Sequence, residues 1–297
     1  MPDGAGVLIV DKPAGWTSFD VVAFVRRRSG VRRVGHAGTL DPLATGVLPV
    51  CIGQATRFIE YLVDSTKTYV ADVTLGVETN TYDAEGEVLQ RRDTSGVTEA
   101  GIEAALERFR GEIEQTPPAY SAIKRDGVPL YKLARRGEEV TVEPRRVRVD
   151  RLALTSCEPP LLRLEVDCSK GFYVRSLAHD IGGALGVGGM LSGLRRTRVG
   201  DFGIEDATGI DALGAAFEAG TWTELLRPPD ELLLRWQAAI LCEDSSRRLR
   251  NGQRVRLQPL RAATNDRCRA YSSGGDFLGV LAAVEAGVWR PEKIVGV

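Results

Sequence analysis

Hydrophobic and polar positions recur along this chain with periods that predict most of its elements. Gly6 to Val10 is a short apolar run and predicts a strand. Thr17 or Ser18 is placed to cap a helix reaching about Arg28. Phe19, Val22, Ala23 and Val25 are its apolar positions, and Gly30 stops it. Thr68 to Leu75 alternates as a strand ended by Gly76, and the acidic stretch 77–96 predicts a loop or hairpin. Thr98 to Arg110 predicts an amphipathic helix, with Ile102, Leu106 and Phe109 on one face and Gly111 as its stop. Arg146 to Thr155 and Leu161 to Cys168 alternate as two strands joined through Glu158-Pro159-Pro160, and Tyr173 to Leu185 predicts a helix. Gly186-Val187-Gly188-Gly189 reads as a helix end and turn, because it lacks the strand and acidic partner of a dinucleotide site.

The chain changes character around Arg227-Pro228-Pro229. Beyond it lies a segment rich in Arg, Val, Leu and Gly. Asn251-Gly252 signals a turn before a strand-like Gln253 to Leu257, and Ser273-Gly274-Gly275 precedes a second such run, Phe277 to Val284. The expectation is a mixed α/β domain over 1–234 followed by a small β-rich domain over 235–297. There is no internal repeat.

Composition narrows the class. With 297 residues, 43% hydrophobic and 27% charged, the chain can bury a full core and resembles a soluble globular protein. No apolar run approaches the ~20 residues that span a bilayer, and the first residues lack a signal-peptide pattern. A cytoplasmic protein away from membranes is the expectation. Five scattered cysteines form no Cys-x-x-Cys pair, and His36 and His179 are the only histidines, so neither a disulfide framework nor a metal site is expected.

A net charge of −1 conceals a block pattern. Residues 117–200 and 245–297 each carry +6, while 61–116 carry −7 and 201–244 carry −8. Such blocks can make a basic face on a neutral protein. Six of the 39 basic residues are lysine and the rest arginine, the side chain that suits bidentate phosphate contact and base stacking.

The candidate chemistry lies in Gly35-His36-Ala37-Gly38-Thr39-Leu40-Asp41-Pro42-Leu43-Ala44-Thr45-Gly46. Glycines let backbone approach a ligand closely, and Pro42 biases Asp41 toward extended backbone. On the residues alone Asp41 reads either as a turn residue bonded to local backbone or as a carboxylate presented on a rigid loop. Tyr69 likewise reads as a core aromatic or a stacking platform, and Arg175 as a surface or phosphate-binding residue. A buried carboxylate that must act ionised needs a positive partner.

This loop belongs to a set of five segments that resembles the TruB family, the tRNA pseudouridine-55 synthases. The first is Asp11-Lys12-Pro13-Ala14-Gly15-Trp16-Thr17-Ser18, the second the Asp41 loop and the third Lys67-Thr68-Tyr69. The fourth is Pro117-Pro118-Ala119-Tyr120-Ser121-Ala122-Ile123-Lys124 with Gly127, Tyr131, Ala134 and Arg135. The fifth is Cys168-Ser169-Lys170-Gly171-Phe172-Tyr173-Val174-Arg175 with Leu194-Arg195-Arg196. The resemblance covers roughly residues 7–200 and implies the rest of the reading. The fold would be the pseudouridine synthase fold, a mixed α/β domain on a central, largely antiparallel sheet with a deep cleft. Residues 235–297 would take the place of the family's RNA-binding PUA domain.

The implied reaction isomerises uridine at position 55 in the T-loop of tRNA after the base is flipped out. It needs no cofactor and no metal. Asp41 would be the nucleophile, Arg175 its charge partner, and Tyr69 the ring stacked on the flipped base. His36 would fill the vacated space, Tyr173 would line the pocket, Arg196 would be a second basic residue, and Lys12 would shape the cleft floor. The partner would be the tRNA T-stem-loop, and a monomer is expected. Two alternatives stay open. One is a guide-RNA-dependent synthase subunit, which the lack of long basic extensions disfavours. The other is a non-catalytic RNA-binding or tRNA-folding protein.

Overall fold

The computed structural model describes residues 5–295 except 122, 126, 135, 137, 139–140, 258–262 and 264–265. Ala122 and Arg135 of the fourth segment therefore lie outside the described residues.

The first helix shows how local chemistry sets the frame. Thr17 caps Ser18–Ser29 in a reciprocal box with Asp20, and Gly30 ends it in the left-handed region at φ 70°. Its buried face is Ser18, Val21, Val22 and Val25. This corrects the expected apolar face, since Phe19 is 64% exposed. The helix is rotated so that the Ser18 hydroxyl, not the Phe19 ring, points inward, where it bonds Leu40.

A mixed sheet forms the body. Its path runs Thr208–Gly209, Gly6–Lys12, Thr45–Ile52, Gly189–Val199, Lys67–Leu75, Leu161–Cys168, Arg145–Glu158, Gly111–Gln115. All neighbours on this path are antiparallel except Gly6–Lys12 with Thr208–Gly209 and Gly189–Val199 with Thr45–Ile52. The central, largely antiparallel sheet is therefore present. Val34–His36 pairs with Thr45–Ile52, so the Asp41 loop is the connection between two paired strands.

Three apolar clusters pack on this sheet, and two of them flank its middle. One packs Ile102 and Leu106 of the helix Glu99–Leu106, with Leu177 and Ile181 of the helix Val174–Ala184, against Ala71, Val73, Leu164 and Val166. The other packs Val21, Val22 and Val25 against Leu8, Val10, Leu48 and Val50. Tyr69 and Leu194 touch both clusters, which puts them at the junction where the cleft opens. The expected helix 98–110 is shorter: it tightens at Glu107–Phe109, and Gly111 begins an edge strand.

The C-terminal segment forms a second sheet in the order Gln237–Leu241, Arg267–Ser272, Phe277–Glu285, Val288–Ile294, Val255–Arg256. The expected strand at Gln253 to Leu257 shrinks to Val255–Arg256. Phe58 meets Phe277 at 5.5 Å between ring centroids, and Arg57 donates to the Ile294 carbonyl at 2.5 Å, so this sheet is seated on the first domain.

Candidate active site

Strand register assembles the site. Arg196 lies opposite Tyr69 on one side and opposite Gly46 on the other, so three central strands bring these residues into one row. Gly46 has φ +102°, and a Cβ there would stand 2.1 Å from the Arg196 carbonyl oxygen. Only glycine permits that approach.

The Asp41 loop is fastened at every carbonyl from 38 to 42. Arg196 donates to Gly38 O at 3.1 Å, to Thr39 O at 3.5 Å and to Val47 O at 2.8 Å. The Ser18 hydroxyl donates to Leu40 O at 3.1 Å and accepts from Leu40 N at 2.8 Å. Asp41 O accepts from Ala44 N at 3.1 Å, and Pro42 O from Gly15 N at 2.9 Å. Lys12 is fully buried beneath the loop, with Nζ 2.5 Å from Trp16 O, 2.9 Å from Pro13 O and 3.4 Å from Pro42 O. Burial lowers its pKa to about 8, against the opposing pull of Asp41. Each such hydrogen bond contributes about 0.5–1.5 kcal/mol net, so together these contacts hold the loop in one conformation.

On this rigid loop the Asp41 carboxylate faces Arg175. Nε stands 3.0 Å from Asp41 Oδ2, close enough for an ion pair but not aligned as a hydrogen bond. Arg175 is 7% exposed, and its other donors reach Thr81 O at 3.2 Å and Tyr120 O at 3.1 Å. Nη1 is also 3.4 Å from Asp83 Oδ2, a carboxylate only 5% exposed. Arg175 thus stands between a cavity-facing carboxylate and a buried one. No motif in the sequence marks Asp83; the acidic stretch that contains it reads as a loop or hairpin, and Val77–Thr79 pairs there with Val88–Arg91.

The cavity beside Asp41 measures about 240 Å³ and is lined by Asp41, Lys67, Tyr69, Tyr173, Arg175 and Arg196 among others. That is below the ~300 Å³ at which drug-sized ligand pockets begin, a size for a single base rather than a dinucleotide. Tyr69 is partly exposed, while its hydroxyl lies deep near Arg196, and burial pushes its pKa up so that the phenol stays protonated. Tyr173 precedes the helix Val174–Ala184, fixed by Gln115, which accepts from its N–H at 2.8 Å and donates to its carbonyl at 3.0 Å. Lys67 is buried with Nζ 2.5 Å from the Val63 and Ser65 carbonyls, and burial lowers its pKa to about 8.

His36 stands apart from this cavity. It lines a second one of about 700 Å³ on the other side of the Asp41–Arg175 pair, with Phe19, Asn80, Glu85 and Tyr120. Burial, then Arg196, lowers its pKa, so the imidazole is neutral. Asp41, Tyr69, Tyr173, Arg175 and Arg196 therefore share one cavity, His36 the adjoining one, and Lys12 lies beneath the loop. Arg196 has three donors directed at carbonyls, which makes it a strut of the loop more than a free cation.

Comparison with known proteins identifies the family. Residues 26–174 match the model of the TruB family pseudouridylate synthase N-terminal domain. Residues 175–234 match the tRNA pseudouridylate synthase B C-terminal domain, and 238–295 match the model described as pseudouridine synthase II TruB, C-terminal. The chain is 48% identical over 294 residues to tRNA pseudouridine synthase B of Burkholderia pseudomallei (strain 668), covering 98% of this chain and 96% of that protein. Over 306 residues it is 47% identical to the protein of the same name from Ralstonia pickettii (strain 12J), covering 99% and 95%. Its fold resembles a chain of an H/ACA RNP bound to a substrate RNA containing 2′-deoxyuridine, at TM-score 0.77 and 24% identity over 98% of this chain and 85% of that one. A chain of a Cbf5-Nop10-Gar1 complex aligns at TM-score 0.72 and 28% identity, covering 95% and 79%.

Proposed function

This chain belongs to the TruB family of pseudouridylate synthases, and on that premise we propose that it converts uridine 55 in the T-loop of tRNA to pseudouridine. The observation that carries the reading is the Asp41–Arg175 pair at 3.0 Å on the wall of a base-sized cavity.

The target base leaves its stack, at a cost of a few kcal/mol, and enters the cavity against the Tyr69 ring. The Asp41 carboxylate attacks C1′ of the ribose. The C1′–O bond forms as C1′–N1 breaks, and uracil departs with the electron pair. The base turns within the cavity. C5 then attacks C1′ and releases the carboxylate; the C5 proton leaves and N1 takes one up, so the net change is an isomerisation. Arg175 holds the carboxylate in place through both displacements. The Tyr69 hydroxyl, protonated and near the base, assists the proton movement. His36 occupies the space the base vacates. Nucleotides flanking the uridine lie in the adjoining cavity, where Phe19 offers an exposed ring at 64% exposure.

Residues 1–234 form the catalytic unit, and 235–297 act as a PUA-like extension of the RNA surface. The enzyme works as a monomer in the cytoplasm. Phosphate contacts make its affinity fall with added salt. The test incubates the purified protein with an unmodified tRNA transcript tritiated at uridine C5, without a guide RNA. Tritium release with pseudouridine mapped to position 55 is the expected result. Tight binding without release would turn the reading toward a guide-dependent or purely binding protein.

A further inference from the structure

Tyr82 is the only non-glycine residue with positive φ among the described residues, at 64°. A bulky side chain rarely adopts this backbone, and where one does the surroundings must hold it there. The holder is visible. The Tyr82 ring stacks on His179 at 4.0 Å between centroids and 12° between planes. His179 Nδ1 is buried with no hydrogen-bond partner among the described residues, so packing against the tyrosine, not a hydrogen bond at that nitrogen, fixes the imidazole.

The placement of these two rings relates them to the site. His179 follows Arg175 by four residues on the helix Val174–Ala184, so both side chains lie on one helix face. Arg175 takes the residues on either side of Tyr82. Its Nη1 donates to Thr81 O at 3.2 Å and lies 3.4 Å from Asp83 Oδ2. One turn along, His179 takes Tyr82 itself. The helix therefore grips three consecutive residues at two successive turns. On the other side, Leu191 N donates to Tyr82 O at 3.0 Å and Ala84 N to Leu191 O at 2.9 Å, which anchors the same turn to the central sheet.

We propose that the Tyr82–His179 stack is a positioning device for Arg175: it holds the Thr81–Asp83 turn in its left-handed conformation, so that the Thr81 carbonyl and the Asp83 carboxylate face the guanidinium and aim it at Asp41. Tyr82 and His179 are positioning residues; neither lines the cavity that takes the base. The inference rests on the functional reading above for its effect on rate, and on geometry alone for its effect on the turn.

The experiment compares Tyr82→Phe, Tyr82→Ala, Tyr82→Gly and His179→Ala with the parent enzyme. It measures single-turnover pseudouridine formation, tRNA affinity, and amide exchange across residues 80–86. Tyr82→Ala removes the stack and keeps the unfavourable backbone, so the rate falls about tenfold, equivalent to ~1.4 kcal/mol, with affinity unchanged. Tyr82→Gly also removes the stack but adopts positive φ freely, so it runs faster than Tyr82→Ala, the reverse of the usual ranking. Tyr82→Phe keeps the ring and stays close to the parent rate. His179→Ala slows the enzyme as Tyr82→Ala does, and the double variant is no slower than either. Amide exchange at 80–86 quickens in Tyr82→Ala and His179→Ala and less so in Tyr82→Gly. A glycine variant no faster than the alanine variant, a loss of affinity that matches the loss of rate, or unchanged exchange would each overturn the proposal. A parent enzyme that makes no pseudouridine would overturn the functional reading instead, and the exchange data would still decide the stack.

Discussion

Asp41 and Arg175 lie 3.0 Å apart yet differ sharply in burial, the arginine 7% exposed and the aspartate 40%. The arginine belongs to the fold and the carboxylate to the cavity. Asp41→Asn keeps the shape, leaves the loop carbonyls bonded as before and leaves Arg175 its buried counter-charge Asp83, so its stability cost stays at about 1 kcal/mol or less. It also keeps tRNA affinity. Pseudouridine formation falls by at least about 10⁴-fold, the low end of what loss of a member of a covalent catalytic set costs. Circular dichroism melts beside single-turnover assays check both halves. Turnover at the parent rate, at equal folded yield, would remove Asp41 from the mechanism.

Tyr69 is fixed in position by its register opposite Arg196 and by packing against two apolar clusters. Tyr69→Phe retains that packing and the ring that stacks on the base. Only the hydroxyl is lost. If this group takes part in proton movement, the single-turnover rate falls roughly 10²–10⁴-fold while tRNA affinity holds. A Phe variant at the parent rate would reduce Tyr69 to a stacking surface.

Asp83 makes the opposite demand. Its Oδ1 accepts from Thr81 Oγ1 at 2.6 Å and from Glu85 N at 3.1 Å, and its Oδ2 faces Arg175. Removal of one partner of a buried ion pair leaves the other uncompensated. Asp83→Ala therefore destabilises the fold by about 3 kcal/mol, measured by urea unfolding, and slows catalysis as well. Asp41→Asn should show the rate effect with a much smaller stability effect, because Asp41 is 40% exposed and Asp83 5%. Equal stability costs for the two variants would contradict the division of roles between the carboxylates.

The site residues that could be read in the sequence were those inside the five motif segments, where spacing and residue type travel together. Asp83 escaped because its partner is on a distant helix, and nothing local separates a buried acid from its solvated neighbours Glu85 and Glu87. The strand Gly189–Val199, which carries Arg196, escaped for another reason. Its register shifts between Leu191 and Gly193 and between Arg196 and Arg198 interrupt the two-residue period by which strands are recognised. Phe19 reads as a core residue because hydrophobicity outweighs a serine in any periodic pattern. The fold prefers Ser18 inside, since only its hydroxyl can both donate to and accept from the Leu40 backbone. Local pattern thus located most elements, and tertiary hydrogen bonding decided which face of them carries the site.

Lys67 gives the fold a dependence on pH whose sign follows from its burial. Its pKa is lowered from 10.5 to about 8 by desolvation, so the native state gives up this proton before the unfolded chain does. Below pH ~8 the buried ammonium is charged in both states and its burial costs stability. Between ~8 and ~10.5 the unfolded chain binds more proton than the native one, so this residue's contribution rises with pH. The buried thiols of Cys51 and Cys168, raised to about 12, act the other way above their usual range, so the parent curve alone does not isolate the lysine. Comparison with Lys67→Met does. Between pH 7.5 and 9.5 the parent should gain on the order of 1–2 kcal/mol relative to the Met variant, read from urea unfolding at each pH. Parallel curves for the two proteins would mean that the Val63 and Ser65 carbonyls, each 2.5 Å from Nζ, stabilise the ammonium enough to cancel its desolvation.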